Sequence, residues 1–259
     1  MGFDIFTSLL ANNWHVMLLF FLIATLYSSV GFGGGSSYLA ILALTSIAYT
    51  EIRFISLLCN IAVVGGNVFY FQNQKLYHWK KVIPIVLFSV PMAFIGGALR
   101  ITESFFFILL GCTLLCSAII MGGSKKMIVN EKLTHKLSFY KNASYGGGIG
   151  FISGMVGIGG GIFLAPLLHI IRWDSPRKIA ATASVFILLN SISGILGQSL
   201  NPSFSIPWNL TILLLITVIL GGFLGTRISN RYFSPIQLRR WTAVLIALIS
   251  LRILINHLF

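Results

Sequence analysis

Long apolar stretches alternate with short polar ones along the whole chain. A helix that crosses about 30 Å of hydrocarbon needs about 20 predominantly apolar residues, and most of the stretches approach that length. They fall near 14–30, 36–48, 53–72, 82–100, 104–122, 143–157, 162–171, 178–198, 208–226 and 238–257. The pattern predicts an all-α integral membrane protein.

The composition agrees with this fold class and excludes others. The 259 residues include 18 Lys and Arg against 5 Asp and Glu, with 56% hydrophobic and only 9% charged residues. A soluble domain carries about 25% charged residues, so a soluble enzyme, a disordered chain and a small disulfide scaffold are excluded. The cations lie in short loops between apolar stretches, and no nucleic-acid partner is expected. No catalytic residue, metal site or cofactor is predicted.

Two glycine landmarks recur along the chain and indicate an internal repeat. The segment 31–35, Gly-Phe-Gly-Gly-Gly, is matched by 157–161, Gly-Ile-Gly-Gly-Gly, at an offset of 126. The segment 95–99 is matched by 220–224 at an offset of 125. We therefore expect a first transmembrane repeat over 1–122 and a second over 143–259. The polar stretch 123–142 between them is predicted to be a linker.

The stretches 36–48 and 162–171 are too short to cross a membrane comfortably. Each glycine segment is therefore either a break in one crossing helix or the turn of a hairpin that enters and leaves. Cytoplasmic loops collect Lys and Arg. The broken-helix alternative divides these residues 9 to 9, whereas the hairpin alternative places 15 on one face and only Arg53, Arg100 and Arg252 on the other.

The charge distribution thus favours the hairpin. Each repeat is then a glycine-turn helical hairpin plus three transmembrane helices, and the two repeats have inverted topology. Both termini are predicted outside, and the linker 123–142 is predicted to be cytoplasmic. In such architectures the substrate site lies near the midplane at the repeat interface.

The glycine turns are the candidate substrate-binding elements. Each precedes a helical stretch, and the free N–H groups at a helix N-terminus bind anions, which indicates recognition of a small oxyanion. Close helix packing is the alternative, and it suits Gly146, Gly150, Gly154, Gly221 and Gly225. The candidate substrate-binding residues are Gly33, Gly34, Gly35, Ser36, Ser37, Asn60, Gly159, Gly160, Gly161, Thr182, Ser184 and Asn190.

All five carboxylates fall in termini or loops, so the sequence offers no mid-membrane Asp or Glu for coupling to protons or sodium. His169 lies near a segment end, where a proton-coupling role is the alternative to an interfacial histidine. Cys59 neighbours Asn60, and its role is left open.

Two motifs resemble a known family, the TauE/SafE sulfite exporters, also called TSUP permeases. They are Gly-Phe-Gly-Gly-Gly-Ser-Ser at 31–37 and Gly-Met-Val-Gly-Ile-Gly-Gly-Gly-Ile-Phe-Leu-Ala-Pro-Leu-Leu at 154–168, supported by Arg-Lys-Ile-Ala-Ala-Thr-Ala-Ser at 177–184. The first half departs from the second in lacking a counterpart of Pro166. The resemblance implies transport of a sulfur-containing anion, such as sulfite or sulfoacetate, across a bacterial inner membrane.

Three functions follow as expectations. The first is electrogenic export of that anion by alternating access, which needs no coupling carboxylate. The second is proton- or cation-coupled uptake of an organosulfonate. The third, from another class, is an intramembrane hydrolase in which Ser36 or Ser37 would have to reach His169. The expected partners are the sulfur anion and the lipid bilayer, and a homodimer is left open.

Overall fold

The computed structural model describes residues 2–123, 139–202, 204–228 and 235–258. The central part of the predicted linker, 124–138, lies outside these ranges. The described residues form ten α-helices and no strand. The helices are α1 Gly2–Ser29, α2 Gly35–Leu42, α3 Tyr49–Asn73, α4 Trp79–Ala98, α5 Glu103–Gly123, α6 Phe139–Val156, α7 Gly161–Ile170, α8 Pro176–Gln198, α9 Trp208–Ile228 and α10 Pro235–Leu258. Helix α6 thus begins inside the predicted linker.

Five helices in the described part of the chain are long and apolar enough to cross a membrane. The spans are Tyr49–Asn73, Trp79–Ala98, Glu103–Ile120, Pro176–Gln198 and Trp208–Arg227. Large apolar side chains on their outer faces, such as Ile83, Leu87, Leu196 and Ile216, are 50–59% exposed. An apolar exterior of this extent suits a lipid environment, and the protein is a multi-pass membrane protein.

Helix α2 folds back beside the end of α1. The Tyr38 ring stacks on the Phe20 ring with centroids 4.6 Å apart, and Ser37 Oγ donates to Tyr27 Oη at 3.0 Å. In a continuous helix, residues 20 and 38 would be about 27 Å apart at 1.5 Å per residue. The chain therefore reverses at the first glycine segment.

The helices pair across the two halves of the chain. Helix α1 packs along α9 and α6 packs along α4, while α3 packs on α8 and α5 on α10. A Cβ atom at Gly146, Gly150 or Gly154 would press on a main-chain oxygen of α4, and one at Gly221 or Gly225 on a main-chain oxygen of α1. The packing role predicted for these five glycines is confirmed.

Helices α3 and α8, each of which follows the short helix after a glycine turn, lie at the centre of the molecule. In the most apolar stretch of α3, 50% of the residues are buried inside the protein, and in that of α8 67% are buried. Around them, one apolar core joins α1, α2, α5, α9 and α10, and a second joins α4, α7 and α8. The two central helices thereby hold both turns against each other.

Candidate functional site

A cavity of about 50 Å³ lies between the two glycine turns. It is lined by Tyr27, Phe32, Gly33, Gly34, Gly35, Ser36, Asn60, Ile158, Gly161, Ile162, Ala165, Pro166 and Ile187. The lining contains no charged side chain. A space of this size holds a few water molecules or one small polyatomic ion.

Both turns have the same backbone geometry. Gly34 is the residue before α2, with φ 88° and ψ 8°, and Gly160 is the residue before α7, with φ 80° and ψ −8°. These left-handed angles are strained for residues with a Cβ. No side chain caps either helix. Main-chain bonding of the first turn resumes at Ser37, whose N–H donates to Gly34 O at 2.9 Å.

The N–H groups of residues 33–36 are therefore hydrogen-bond donors of the site that have no main-chain acceptor. Residues 33–36 donate no backbone hydrogen bond within the described chain, and the first four N–H groups of any α-helix lack an intrahelical acceptor. The second turn repeats this arrangement, with Phe163 N–H and Leu164 N–H both bonded to Gly160 O at 3.1 Å. Two positive helix ends thus flank one cavity.

Asn60 connects the two turns. Its Nδ2 donates to Ile158 O in the second turn at 2.9 Å, and a Cβ at Gly33 or Gly35 of the first turn would collide with its side-chain amide. In the second half, Ile187 stands against Gly161 in the same way. The cavity therefore has the amide of Asn60 on one side and the sec-butyl side chain of Ile187 on the other.

Six of the twelve predicted site residues line this cavity: Gly33, Gly34, Gly35, Ser36, Asn60 and Gly161. The other six lie outside the lining: Ser37, Gly159, Gly160, Thr182, Ser184 and Asn190. Ser37 is bonded to Tyr27, and Gly159 and Gly160 form the backbone of the second turn behind the lining.

The three α8 candidates face elsewhere. Thr182 Oγ1 donates to Lys178 O at 2.9 Å and Ser184 Oγ to Ala181 O at 2.7 Å, both within their own helix. Asn190 is fully buried, and neither of its amide atoms has a partner in the described chain. Ile187 is the α8 residue at the cavity.

The residue types did not mark the apolar part of the lining or the phenol of Tyr27. Ile158 lies within the second glycine segment and Ile162 follows it, and Ala165 and Pro166 come on the next turn of α7. Their nearness to the glycines is the one signal that was available. Apolar residues carry no other mark of function in a chain that is 56% hydrophobic.

Arg53 is buried in the protein and has no acidic partner. Its side chain is 1% exposed, and Nη2 donates to Gly97 O at 3.3 Å and to Gly154 O at 3.1 Å, near the ends of α4 and α6. Helix C-terminal carbonyls favour a cation. No carboxylate in the described chain forms a salt bridge with Arg53. It lies seven residues before Asn60 on α3, about 10 Å along the helix.

One ion-pair cluster joins the halves at the opposite end of α4. Lys81 Nζ lies 2.9 Å from Asp174 Oδ2, and Lys178 Nζ lies 3.8 Å from Asp174 Oδ1. Burial alone would raise the pKa of Asp174, but the hydrogen bonds from Lys81 and Ser175 N–H and the charges of both lysines outweigh it. The pKa of Asp174 therefore lies below its usual value.

These features define a class: a polytopic helical membrane protein whose cavity is built from two glycine turns, each of which begins a helix. The family model of the sulfite exporters TauE/SafE matches residues 16–253. The chain belongs to that family of membrane transporters.

Two relatives are similar over most of the chain. The probable membrane transporter protein y4hK of Sinorhizobium fredii is 32% identical over 241 residues, 91% of this chain and 95% of that protein. The probable membrane transporter protein MJ0441 of Methanocaldococcus jannaschii is 27% identical over 210 residues, 75% of this chain and 76% of that protein. No solved structure matches the chain.

Proposed function

We propose that the protein moves a small sulfur-containing oxyanion, such as sulfite or sulfoacetate, across the bacterial inner membrane. The observation that carries this proposal is the meeting of two glycine turns, each the N-terminus of a helix, at one cavity. Their N–H groups are donors for anionic oxygens. The family's description as sulfite exporters supports sulfur as the central atom of the substrate.

Arg53 supports an anion over a cation as the substrate. The buried Arg53 guanidinium has helix-end carbonyls but no carboxylate of the described chain as partners, so it adds a net positive charge to the protein interior. Its potential attracts anions and repels cations. Arg53 lies on the same helix as Asn60 and within about two turns of the cavity.

The inverted arrangement of the two halves is part of the proposal. The reversal at the first glycine segment supports a hairpin, and the pairing of α1 with α9 and of α6 with α4 is what a two-fold relation between halves produces. With the hairpins counted, 15 of 18 Lys and Arg lie on one face. That face is cytoplasmic, so both termini and Arg53 belong to the outer side.

Export driven by the membrane potential is the proposed direction. Each negative charge that leaves a cell with a negative interior gains about 2.3 kcal/mol per 100 mV. The halves would rock around the glycine turns to expose the cavity alternately to each side. Coupled uptake of an organosulfonate is the rival, and an uncoupler separates them because it would abolish coupled uptake but only weaken export.

Binding to purified protein in detergent is the first test. Thermal unfolding is followed with sulfite, sulfate, thiosulfate, sulfoacetate and chloride, since a bound ligand stabilises the folded state by RT ln(1 + [L]/Kd). We expect a rise in unfolding temperature with at least one sulfur anion and none with chloride. Equal behaviour of all five anions would contradict the proposal.

A further inference from the structure

Asn60 carries a hydrogen-bond acceptor that the protein leaves unused. The side chain is 1% exposed, and its Oδ1 has no donor in the described chain. Buried acceptors without a donor are uncommon in folded proteins because each costs free energy. An unused acceptor at a cavity points to a ligand that supplies the donor.

The orientation of this amide is fixed by its neighbour. Ile158 O can only accept a hydrogen bond, so the group that faces it at 2.9 Å must be Nδ2. Oδ1 then points to the opposite side, toward Gly33, where a Cβ atom would collide with it. One hydrogen of Nδ2 is used by Ile158 O, and Oδ1 can act only as an acceptor.

No other group of the lining donates a hydrogen bond to this oxygen in the described chain. Phe32, Ile158, Ile162, Pro166 and Ile187 are apolar at the cavity. The nearby titratable groups are the phenols of Tyr27 on α1 and Tyr38 on α2 and the thiol of Cys59, while Arg53 lies two turns away on α3. A second negative charge placed on the Asn60 side of the substrate would face the Oδ1 oxygen.

We propose that the cavity selects a monoanion that carries its own O–H or N–H donor, which bonds to Asn60 Oδ1 while the anionic oxygens face the glycine turns. For sulfite this is hydrogensulfite and not the dianion. The inference rests on the proposed function and narrows its substrate class. Asn60 is a specificity-determining residue in this arrangement, and Ile187 closes the side that needs no donor.

Hydrogensulfite and methanesulfinate form a matched pair of probes. Both are pyramidal monoanions with two anionic oxygens on sulfur, but methanesulfinate has a methyl group where hydrogensulfite has its O–H donor. We expect the purified protein in acidic buffer to bind hydrogensulfite about tenfold more tightly, because the methyl group leaves Oδ1 unpaired. In alkaline buffer, where sulfite is a dianion, its affinity should fall. Methanesulfinate keeps one charge at both pH values and reports any effect of pH on the protein.

The variant Asn60→Leu tests the residue itself. Removal of Oδ1 should bring the affinities for the two probes within about twofold. Gly66→Ala on the same helix, where a Cβ meets open space, is the control and should keep the tenfold preference. Should Asn60→Leu fail to fold, the comparison of probes in the unmodified protein still decides the question.

The outcomes separate this inference from the proposed function. Equal affinity for both probes, or tighter binding of sulfite in alkaline buffer, would overturn the donor requirement and leave anion transport standing. A preference that survives in Asn60→Leu would also overturn it. Absence of binding for every sulfur anion would overturn the proposed function together with the inference.

Discussion

At the scale of single residues, Arg53 joins the N-terminal part of α3 to the ends of α4 and α6 through Gly97 O and Gly154 O. If its charge attracts the substrate, Arg53→Gln should lower anion flux into proteoliposomes by about tenfold, whereas Arg53→Lys should retain most of it. Arg252→Gln removes an exposed cation on α10 and is the control. An unchanged flux in Arg53→Gln would show that the guanidinium only packs the helix ends.

Gly34 shows what the turn demands of its backbone. At φ 88° an added Cβ would lie 2.9 Å from Ile23 Cγ2 and 3.1 Å from Tyr38 Cζ, and the left-handed conformation itself costs about 1–2 kcal/mol for a residue with a side chain. Gly34→Ala and Gly160→Ala should therefore lower the thermal unfolding midpoint. The helical Gly66→Ala should leave it equal or raise it. A Gly34→Ala protein as stable as the unmodified one would contradict the left-handed turn.

The sequence predicted the polar half of the cavity better than the whole. The glycine turns and Asn60 stand out because irregular backbone and a side-chain amide cost free energy in a membrane unless they are buried in protein or line a cavity. Thr182 and Ser184 stood out in the same way, but a hydroxyl on a helix can satisfy itself on a preceding carbonyl. Both do so in this fold. The residue types alone do not distinguish a hydroxyl that bonds within its own helix from one that faces the cavity.

At the scale of helices, apolar length located the ten segments, because the cost of an unsatisfied backbone in lipid allows only helices there. It did not reveal that α2 reverses against α1, since both a break and a hairpin leave the same apolar stretch. The ring contact between Phe20 and Tyr38 supports the reversal at the first glycine segment. The partners of each helix could be read only where glycines recur every four residues, as along α6.

The link between α4 and the α7–α8 loop gives a prediction with a defined pH dependence. The pKa of Asp174 is lowered in the folded protein. Its ion pairs therefore stabilise the fold fully at pH values above the pKa that Asp has in an unfolded chain, about 3.9. This stabilisation is lost as the pH falls through the lower pKa of Asp174 in the folded protein. Since Lys81 is 29% exposed, Asp174→Asn should cost only about 1 kcal/mol at neutral pH.

The measurement is the unfolding midpoint of Asp174→Asn against the unmodified protein at neutral and strongly acidic pH. The difference between the two unfolding midpoints should disappear at strongly acidic pH. Lys81→Met should show the same gap at neutral pH, whereas Lys80→Met, an exposed neighbour on the same helix turn, should show none. A gap that persists in strong acid would mean that Asp174 acts through packing and not through its charge.

At the scale of the whole molecule, the offset between the two glycine landmarks indicated the repeat before any helix was placed. The three-dimensional relation could not be read from it, because weak internal similarity fixes neither helix partners nor distances. The structure adds that the halves are chemically unequal at their centre, because the first half contributes the amide of Asn60 to the cavity and the second half contributes the apolar Ile187. That inequality matters for function, since symmetric halves would offer a substrate two identical sides.

The membrane orientation is the remaining prediction for the molecule as a whole. If each half makes an odd number of passes, the linker 123–142 and the C-terminus lie on opposite sides of the membrane. If each glycine segment only breaks one crossing, they lie on the same side. We expect a green fluorescent protein inserted in the linker to fluoresce in the cytoplasm and alkaline phosphatase fused after Phe259 to be active outside it, because 15 of 18 cations then face inward.

Two loops provide internal controls for this experiment. In the inverted arrangement the loop 74–78 lies on the same side as the linker, and the loop 199–207 lies on the side of the C-terminus. Phosphatase activity should therefore be low after residue 75 and high after residue 201. Phosphatase activity that is high at both the linker and the C-terminus, or low at both, would refute the inverted arrangement. The two turns would then approach the cavity from the same side, and alternating access by exchange of equivalent halves would no longer follow.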